Sequence, residues 1–352
     1  MTHSIRFLSK KEIYKFQNLI KKNWKKQIST FKSSHLYDVR RGFWLKEDHI
    51  YTKSKKLVLF YYNYHNKKKT SILGLFINSK LRAVLGLMNN KNWDSKLGDD
   101  IYVTFLLKSN LAKDAIFKFF KYIYENLKPN FLCCTGFNKI PSKFYEQLGK
   151  IEFFEHYYIL NARAKKRIST NLIEKKVIKK INLVKLDMKI EKKIKIFPNT
   201  NFYPKKTKKY FTNKYLNNPY YDYFLMSFYK NNEIKFFFIC RNICMGKTKI
   251  SRIVDFYGKI SFKDNILELV KKYLYENQIE YIDFLCSGFD QNLLTNLGFN
   301  KKEKKQIIPN YFEPFIKKNI NVNLCTMINK YKKNKTVILK GDGDQDRINI
   351  IK

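Results

Sequence analysis

The stretch YENLKPNFLCCTGF at residues 124–137 returns as YENQIEYIDFLCSGF at residues 275–289. Each copy closes a Lys-rich amphipathic segment, turns at Asn, and enters a short apolar run ending Cys–small–Gly–Phe. A second glycine behind leucine follows each, at Leu148-Gly149 and Leu297-Gly298, and Lys-Asp precedes each, at Lys113-Asp114 and Lys263-Asp264. Self-similarity at a fixed offset decides architecture first, because each copy must be one supersecondary unit. The chain is read as one domain type duplicated.

The elements around the first copy follow from periodicity. Ile13, Phe16, Leu19, Ile20 and Trp24 fall on one face of a helix over residues 10–26. Lys56–Tyr64 reads as an apolar, aromatic strand and Thr70–Asn78 as another. Ser79-Lys80 turns into Leu81–Met88, and after a polar loop Ile101–Lys108 is the fourth strand. A helix over Leu111–Leu127 turns Ile116, Phe119, Phe120 and Ile123 inward. Then come a buried strand at Phe131–Thr135, a short helix at Pro141–Leu148 with proline in its first turn, and a closing strand at Phe153–Asn161. Residues 162–182 are Lys-rich with almost no aromatics and read as a connector. The second half repeats the plan: a helix over 205–217, strands over 221–229, 234–241 and Lys249–Tyr257, the helix Asp264–Asn277, the strand Tyr281–Cys286 and the short helix Gln291–Leu297.

The fold class is therefore α/β (α+β), with two tandem domains at 1–161 and 183–306. Each is a mixed, mostly antiparallel sheet flanked by helices, and an extension over 307–352 packs back on them. A chain of 352 residues has room for two such cores. A hydrophobic content of 44% places it with globular rather than disordered chains. The formal charge of +42 has the sign of a nucleic-acid binder. Arg is scarce beside Lys, however, and Asn, Ile, Tyr and Phe are abundant. Arg is the residue that reads phosphates and bases bidentately, so this pattern argues against nucleic acid as the partner. No run approaches the roughly 18 apolar residues of a membrane span, and the N-terminus lacks a signal peptide's apolar core. The expectation is a soluble, cytoplasmic protein whose Cys133, Cys134, Cys240 and Cys286 fill apolar strands.

Several motifs dissolve on inspection. Gly246-Lys247-Thr248 lacks the glycine five residues earlier that a phosphate loop needs, since Arg241 stands there. Asp342, Asp344 and Asp346 alternate like the start of a calcium loop, but Arg347 occupies the glycine position. Cys240-x-x-x-Cys244 lacks zinc-ligand spacing and no His lies beyond residue 156, so no metal is expected. Other residues stay open. Three carboxylates and Arg347 between apolar runs suit a tail that folds back to donate polar groups. His156, on a strand, is either a hydrogen-bonded core residue or a base titrating near neutrality. Tyr145, on the short helix, is core or a proton donor. Asp255 and Tyr257 share one face of a strand beside Arg252, and Asp283 sits in EYIDF. An ionisable group in so apolar a run needs a partner or a role.

These pieces together resemble the GCN5-related N-acetyltransferase (GNAT) fold. The chain as a whole is similar to the tandem-GNAT proteins encoded among bacterial surface-polysaccharide and amino-sugar pathways. The resemblance rests on NWKKQ at 23–27, CTGFNKIPSKFYEQLGKIEFFEHYYILN at 134–161, RIVDFYG at 252–258, EYIDF at 280–284, IPNYFEPF at 308–315 and GDGDQDRIN at 341–349. It implies acetyl-CoA or another acyl-CoA as cofactor, with its pantetheine arm against the splayed fourth strand and its pyrophosphate at the following helix N-terminus. In this chain that assigns Leu106, Leu107, Lys108, Ser109, Asn110, Leu111, Ala112, Lys113 and Asn138 to the cofactor. The family's glycine-rich loop is absent from 108–113, and 258–263 keeps only Gly258. Asp100, Tyr102 or His156 would serve as base and Tyr145 as acid. Arg252, Asp255, Tyr257, Asp283, Glu313, Asp344, Asp346 and Arg347 would shape the pocket of a sugar or nucleotide-sugar acceptor. The alternatives are an aminoacyl-tRNA-dependent transferase of the peptidoglycan cross-bridge type, gripping tRNA by counterion release, and a non-catalytic binding protein.

Overall fold

The computed structural model describes residues 2–30, 50–63, 68–137, 142–164, 169, 171–172, 184–245, 248–310, 319, 321–343 and 346. Two compact units emerge, one from Met1–Lys150 and Cys325–Lys330, the other from Ile151–Leu324 and Tyr331–Asp346. Each is built on a mixed, mostly antiparallel sheet flanked by helices, the duplicated plan that the repeat predicts.

In the first sheet, β1 (His3–Ser9), β2 (Lys69–Ile77), β3 (Lys80–Asn89) and β4 (Asp100–Lys108) run antiparallel, and β5 (Phe131–Thr135) joins β4 in parallel. The β2–β3 hairpin turns at Asn78 and Ser79, both at positive φ (49° and 61°), the conformation that matches strand twist in a two-residue loop. Helix α1 (Ile13–Thr30) buries Ile13, Phe16, Leu19 and Ile20 as its spacing predicts; the Trp24 side chain lies outside the described set. The run read as a strand at Lys56–Tyr64 is instead a helix. After the turn α2 (Ile50–Lys53), α3 spans Lys55–Tyr62 and buries Leu57, Val58, Tyr61 and Tyr62, a helical spacing. Ser54 caps it by accepting the Leu57 amide. The strand that sequence reading missed is β1. Helix α4 (Ala115–Tyr122) continues as a π-helical turn through Leu127, and α5 spans Ser142–Leu148.

The second sheet repeats the meander with β8 (Asp187–Glu191), β9 (Tyr223–Lys230), β10 (Glu233–Met245) and β11 (Thr248–Gly258), and β12 (Tyr281–Ser287) runs parallel to β11. Its β9–β10 hairpin again turns on two positive-φ residues, Asn231 (49°) and Asn232 (64°). A short helix, α6 (Lys208–Phe211), precedes β9; α7 (Leu267–Glu276) and α8 (Gln291–Leu297) fall where the sequence places them. Phe228, Phe236, Phe238, Phe256, Phe284 and Phe299 form the centre of its core.

The strand after each short helix departs from expectation. The first sheet closes with β6 (Lys150–Phe153), and β14 (Asn323–Asn329) lies between β5 and β6. Glu155–Leu160, read as the closing strand of the first half, is β7 of the second sheet. It pairs with β12 from Tyr281↔Leu160 to Cys286↔Glu155, between β12 and β13 (Asn300–Lys301). The boundary expected at Asn161 thus stands in the structure at Lys150.

Candidate functional site

The parallel ladder of the first sheet holds from Asp100↔Phe131 to Val103↔Cys134 and ends there, although β4 runs on to Lys108 against β3. β5 leaves through Gly136 at φ 72°. Where the strands part, β4 carries a bulge: Val103 faces Leu87 and Phe105 faces Gly86, so Thr104 is the extra residue. Bulges re-aim side chains and recur beside active sites. The Thr104 hydroxyl donates to the Gly86 carbonyl (3.2 Å) and therefore accepts from the Tyr62 hydroxyl (2.9 Å), which lies 3.4 Å from the Tyr51 hydroxyl. A directed chain of hydroxyls thus ends at the mouth of the opening. Tyr62 comes from α3, the run misread as a strand, and Tyr51 from α2, a turn that sequence reading did not assign, and so both went unseen in the sequence.

Past the opening, residues 108–114 fold on their own backbone. The Ser109 amide donates to the Arg82 carbonyl (2.8 Å), Ala112 to Ser109 (3.0 Å) and Ala115 to Ala112 (3.2 Å). Lys108 Nζ donates to the Lys113 carbonyl (2.8 Å). Among the described residues, two buried polar atoms here find no partner, Ser109 Oγ and Arg82 Nε, and Thr135 Oγ1 at the end of β5 is a third. Such atoms are costly unless something else satisfies them. Arg82 escaped sequence analysis because it precedes the apolar core of β3 and looks like a surface residue. Against this cationic set, Asp114 stands at the N-cap position of α4 without a side-chain capping bond, its charge taken up by Lys118 (2.8 Å).

The sequence-assigned residues of the first unit divide. Asp100 and Tyr102 are buried in the paired part of β4, with Asn90 Nδ2 3.5 Å from Asp100 and the Phe131 ring beside Tyr102. Leu106 to Lys113 follow the opening as expected, whereas Asn138 lies outside the described residues. Tyr145 projects from α5 against Phe137 (centroids 4.5 Å), Phe120 and Phe144, with Cys134 at its hydroxyl. Burial pushes its phenol far above the ordinary value, so it keeps its proton. His156 is not part of this group: it stands on β7 of the second unit, where Nε2 lies 3.1 Å from Asp283. Burial lowers its pKa and favours the neutral ring, against the pull of Asp283.

The second unit holds a buried polar network. Arg252 meets Asp283 through Nε (3.0 Å) and Nη2 (3.0 Å), and also donates to the Pro309 carbonyl (2.8 Å). Although burial works the other way, Arg252 and His156 hold Asp283 well below the usual carboxylate range. Asp255 accepts from Lys206 (2.7 Å), Tyr215 (2.8 Å) and the Phe256 amide (2.7 Å), and Lys206 also pairs with Asp342 (2.6 Å). Arg241 pairs with Asp346 (3.0 Å), which also accepts from Tyr223 (2.7 Å). Each of these charges is at most 6% exposed, so the expectation that Arg252, Asp255 and Asp283 line an acceptor pocket meets side chains turned on one another. Tyr257 stacks on Phe197 (4.5 Å) outside the network. Glu313, Asp344 and Arg347 fall outside the described residues. Arg241 carried the same signal as Asp255, a charge inside the apolar run FFFICRNIC, and could have been found by it. Among the described residues no His, Cys, Asp and Glu cluster suits a metal ion, and no helix is long and apolar enough to cross a membrane.

No protein-family model and no curated protein matches the chain. Solved structures do. A probable N-acyltransferase from Enterococcus faecalis V583 is 11% identical, over 92% of this chain and 72% of its own, with a TM-score of 0.46. A GCN5-related N-acetyltransferase from Anabaena variabilis is 9% identical over the same shares, at 0.44. The PaiA N-acetyltransferase of Thermoplasma acidophilum, in complex with coenzyme A, is 16% identical over 43% of this chain and 92% of its own, at 0.29. At such identities and scores the likeness carries no conclusion about activity.

Proposed function

We propose that the protein is an acyl-CoA-dependent acyltransferase of the GNAT type, with its donor in the opening between β4 and β5. The observation that carries this reading is the parting of those strands beside three buried polar atoms that find no partner among the described residues, Arg82 Nε, Ser109 Oγ and Thr135 Oγ1. Arg82, Lys108, Ser109 and Lys113, with the backbone from Asn110 to Ala112, would hold the pyrophosphate. Charged side chains there replace the amides that a glycine-rich loop would offer. Leu106 and Leu107 would hold the pantetheine arm through their main chain, and the resemblance of the sequence adds Asn138 to them. Bound CoA supplies an activated acyl thioester.

The chain's own residues do the rest. Thr104 and Tyr62 fix the bulge at which an acyl carbonyl would come to rest, and Gly86 keeps the bulge's inner face open to Phe105. Tyr145 holds its proton through neutral pH and would give it to a departing thiolate. Asp100 and Tyr102 support the strand from its paired part. The acceptor is an amine or hydroxyl, and on the resemblance of the sequence a sugar or nucleotide-sugar of surface-polysaccharide assembly. Thiol release from acetyl-CoA across amino-sugar and nucleotide-sugar acceptors tests the reading. Turnover with at least one acceptor, lowered about 100-fold in kcat by Tyr145→Phe, is expected. No thiol release with any acceptor, while tRNA binds with a steep salt dependence, would move the protein to the aminoacyl-tRNA-dependent class.

A further inference from the structure

The second unit has the same opening, and the chain fills it. With Lys113-Asp114 aligned on Lys263-Asp264, the bulge residue Thr104 of β4 falls on Val254, the bulge residue of β11, and Val103 on Ile253. Parallel pairing ends just before the bulge in both sheets, at Val103↔Cys134 in the first and at Ile253↔Phe284 in the second. Cys286 and Ser287 pair instead with Leu339 and Ile338 of β15 (Ile338–Leu339), antiparallel, on the side where β11 would continue. The Gly341 amide completes the bridge by donating to the Val254 carbonyl of β11 (2.8 Å). On its other flank the segment is tied to Tyr203, whose carbonyl accepts from the Val337 amide (2.9 Å).

The fit is close on both sides. A Cβ on Gly341 would lie 2.2 Å from the Tyr215 hydroxyl and 2.8 Å from the Val254 carbonyl oxygen. One on Gly288, at φ +89°, would lie 2.1 Å from the Thr336 carbonyl oxygen. The glycine that the repeat keeps after β5 is thus used in the second unit to admit the segment. Asp342 folds back on the Leu339 amide (2.8 Å), and Lys206 ties it to Asp255 on the strand it lies against. Val337, Ile338 and Leu339 are buried.

We infer that residues 336–342 are a permanent internal occupant of the second unit's donor groove, so that the full chain takes one acyl-CoA rather than two. This inference rests on the proposed function for the meaning of the groove, and the experiment separates the two. Hydrogen exchange on the full chain reads the occupancy directly, and native mass spectrometry with acetyl-CoA reads the stoichiometry. The Leu339 and Gly341 amides are expected to exchange about 100-fold or more slower than free chain. In Lys206→Met, and separately in Gly341→Ala, they should speed up about tenfold or more while the β9–β10 amides stay slow and report a folded unit. Protected amides with one acetyl-CoA per chain support the inference. Protected amides with no acetyl-CoA bound support the closure and remove the donor reading instead. Amides exchanging like free chain, or two acetyl-CoA per wild-type chain, would overturn it.

Discussion

Two lysines deep in the second unit govern how folding responds to pH. Burial brings Lys214 down to about 8 and Lys340 to about 7, against an ordinary 10.5. Lys340 donates to the Asn310 carbonyl (3.0 Å) amid Arg252, Arg241, Asp346 and Asp283. Lys214 donates to the Tyr210 hydroxyl (2.6 Å) near Asp342, Asp255, Lys206 and Asp346. Between the folded and unfolded values of these lysines the unfolded chain binds more protons, so their contribution to stability rises with pH from about 7 to about 10. Burial works the other way on the thiols of Cys240 and Cys286 from about pH 9 and on the phenols of Tyr215 and Tyr281 above about 10, because all four hold their protons longer in the fold than in the unfolded chain. The thermal midpoint should therefore be higher at about pH 9 than at about pH 6.5, and Lys340→Met should flatten the rise; a midpoint falling steadily over that range contradicts the assignment. At this scale the sequence was partly legible. Asp255 and Asp283 stand out as charges in apolar runs. Arg252 and His156, the partners of Asp283, stand out too, but Lys206 does not, because it and Asp342 are each far from Asp255 in sequence and only the fold brings them together.

The elements show where periodicity misleads. KKLVLFYY is apolar, aromatic and short, which suits a strand as well as a buried helix. What decides is the burial of Leu57, Val58, Tyr61 and Tyr62 on one helical face and the cap at Ser54. The cap is a local device and can be tested locally. Ser54→Ala is expected to cost about 1 kcal/mol in urea unfolding; a loss within error of zero would mean that packing alone holds α3. The consequence reaches the candidate site, since Tyr62 on α3 and Tyr51 on α2 supply the hydroxyls that end on Thr104. The hairpins were easier. The first turn, expected at Ser79-Lys80, falls one residue earlier at Asn78-Ser79, and the second, Asn231-Asn232, lies between two expected strands; both adopt the left-handed pair the turn requires.

For the whole molecule, duplication was readable from the repeat, but the sheet in which each closing strand lies was not. An apolar strand such as EHYYIL carries no local mark of its partner, and β7 and β14 each fit a slot that either would fill. The first sheet thus depends on residues from the far end of the chain, since β14 stands between β5 and β6. A chain ending at residue 322 leaves β5 with an open edge, and open apolar edges aggregate. That truncation should yield insoluble protein or one without cooperative unfolding; a soluble product with an unchanged midpoint would show that the first unit needs no C-terminal strand.

The central claim, a donor groove at the β4–β5 opening of the first unit, is met most directly by calorimetric titration of the full chain with acetyl-CoA. The comparison is Arg82→Gln combined with Lys108→Ala. The account predicts micromolar binding near one per chain, weakened in the variant by about 10- to 100-fold, the scale of one or two charge-assisted hydrogen bonds. An unchanged affinity in the variant, or no heat with acetyl-CoA at about millimolar concentration, would contradict it.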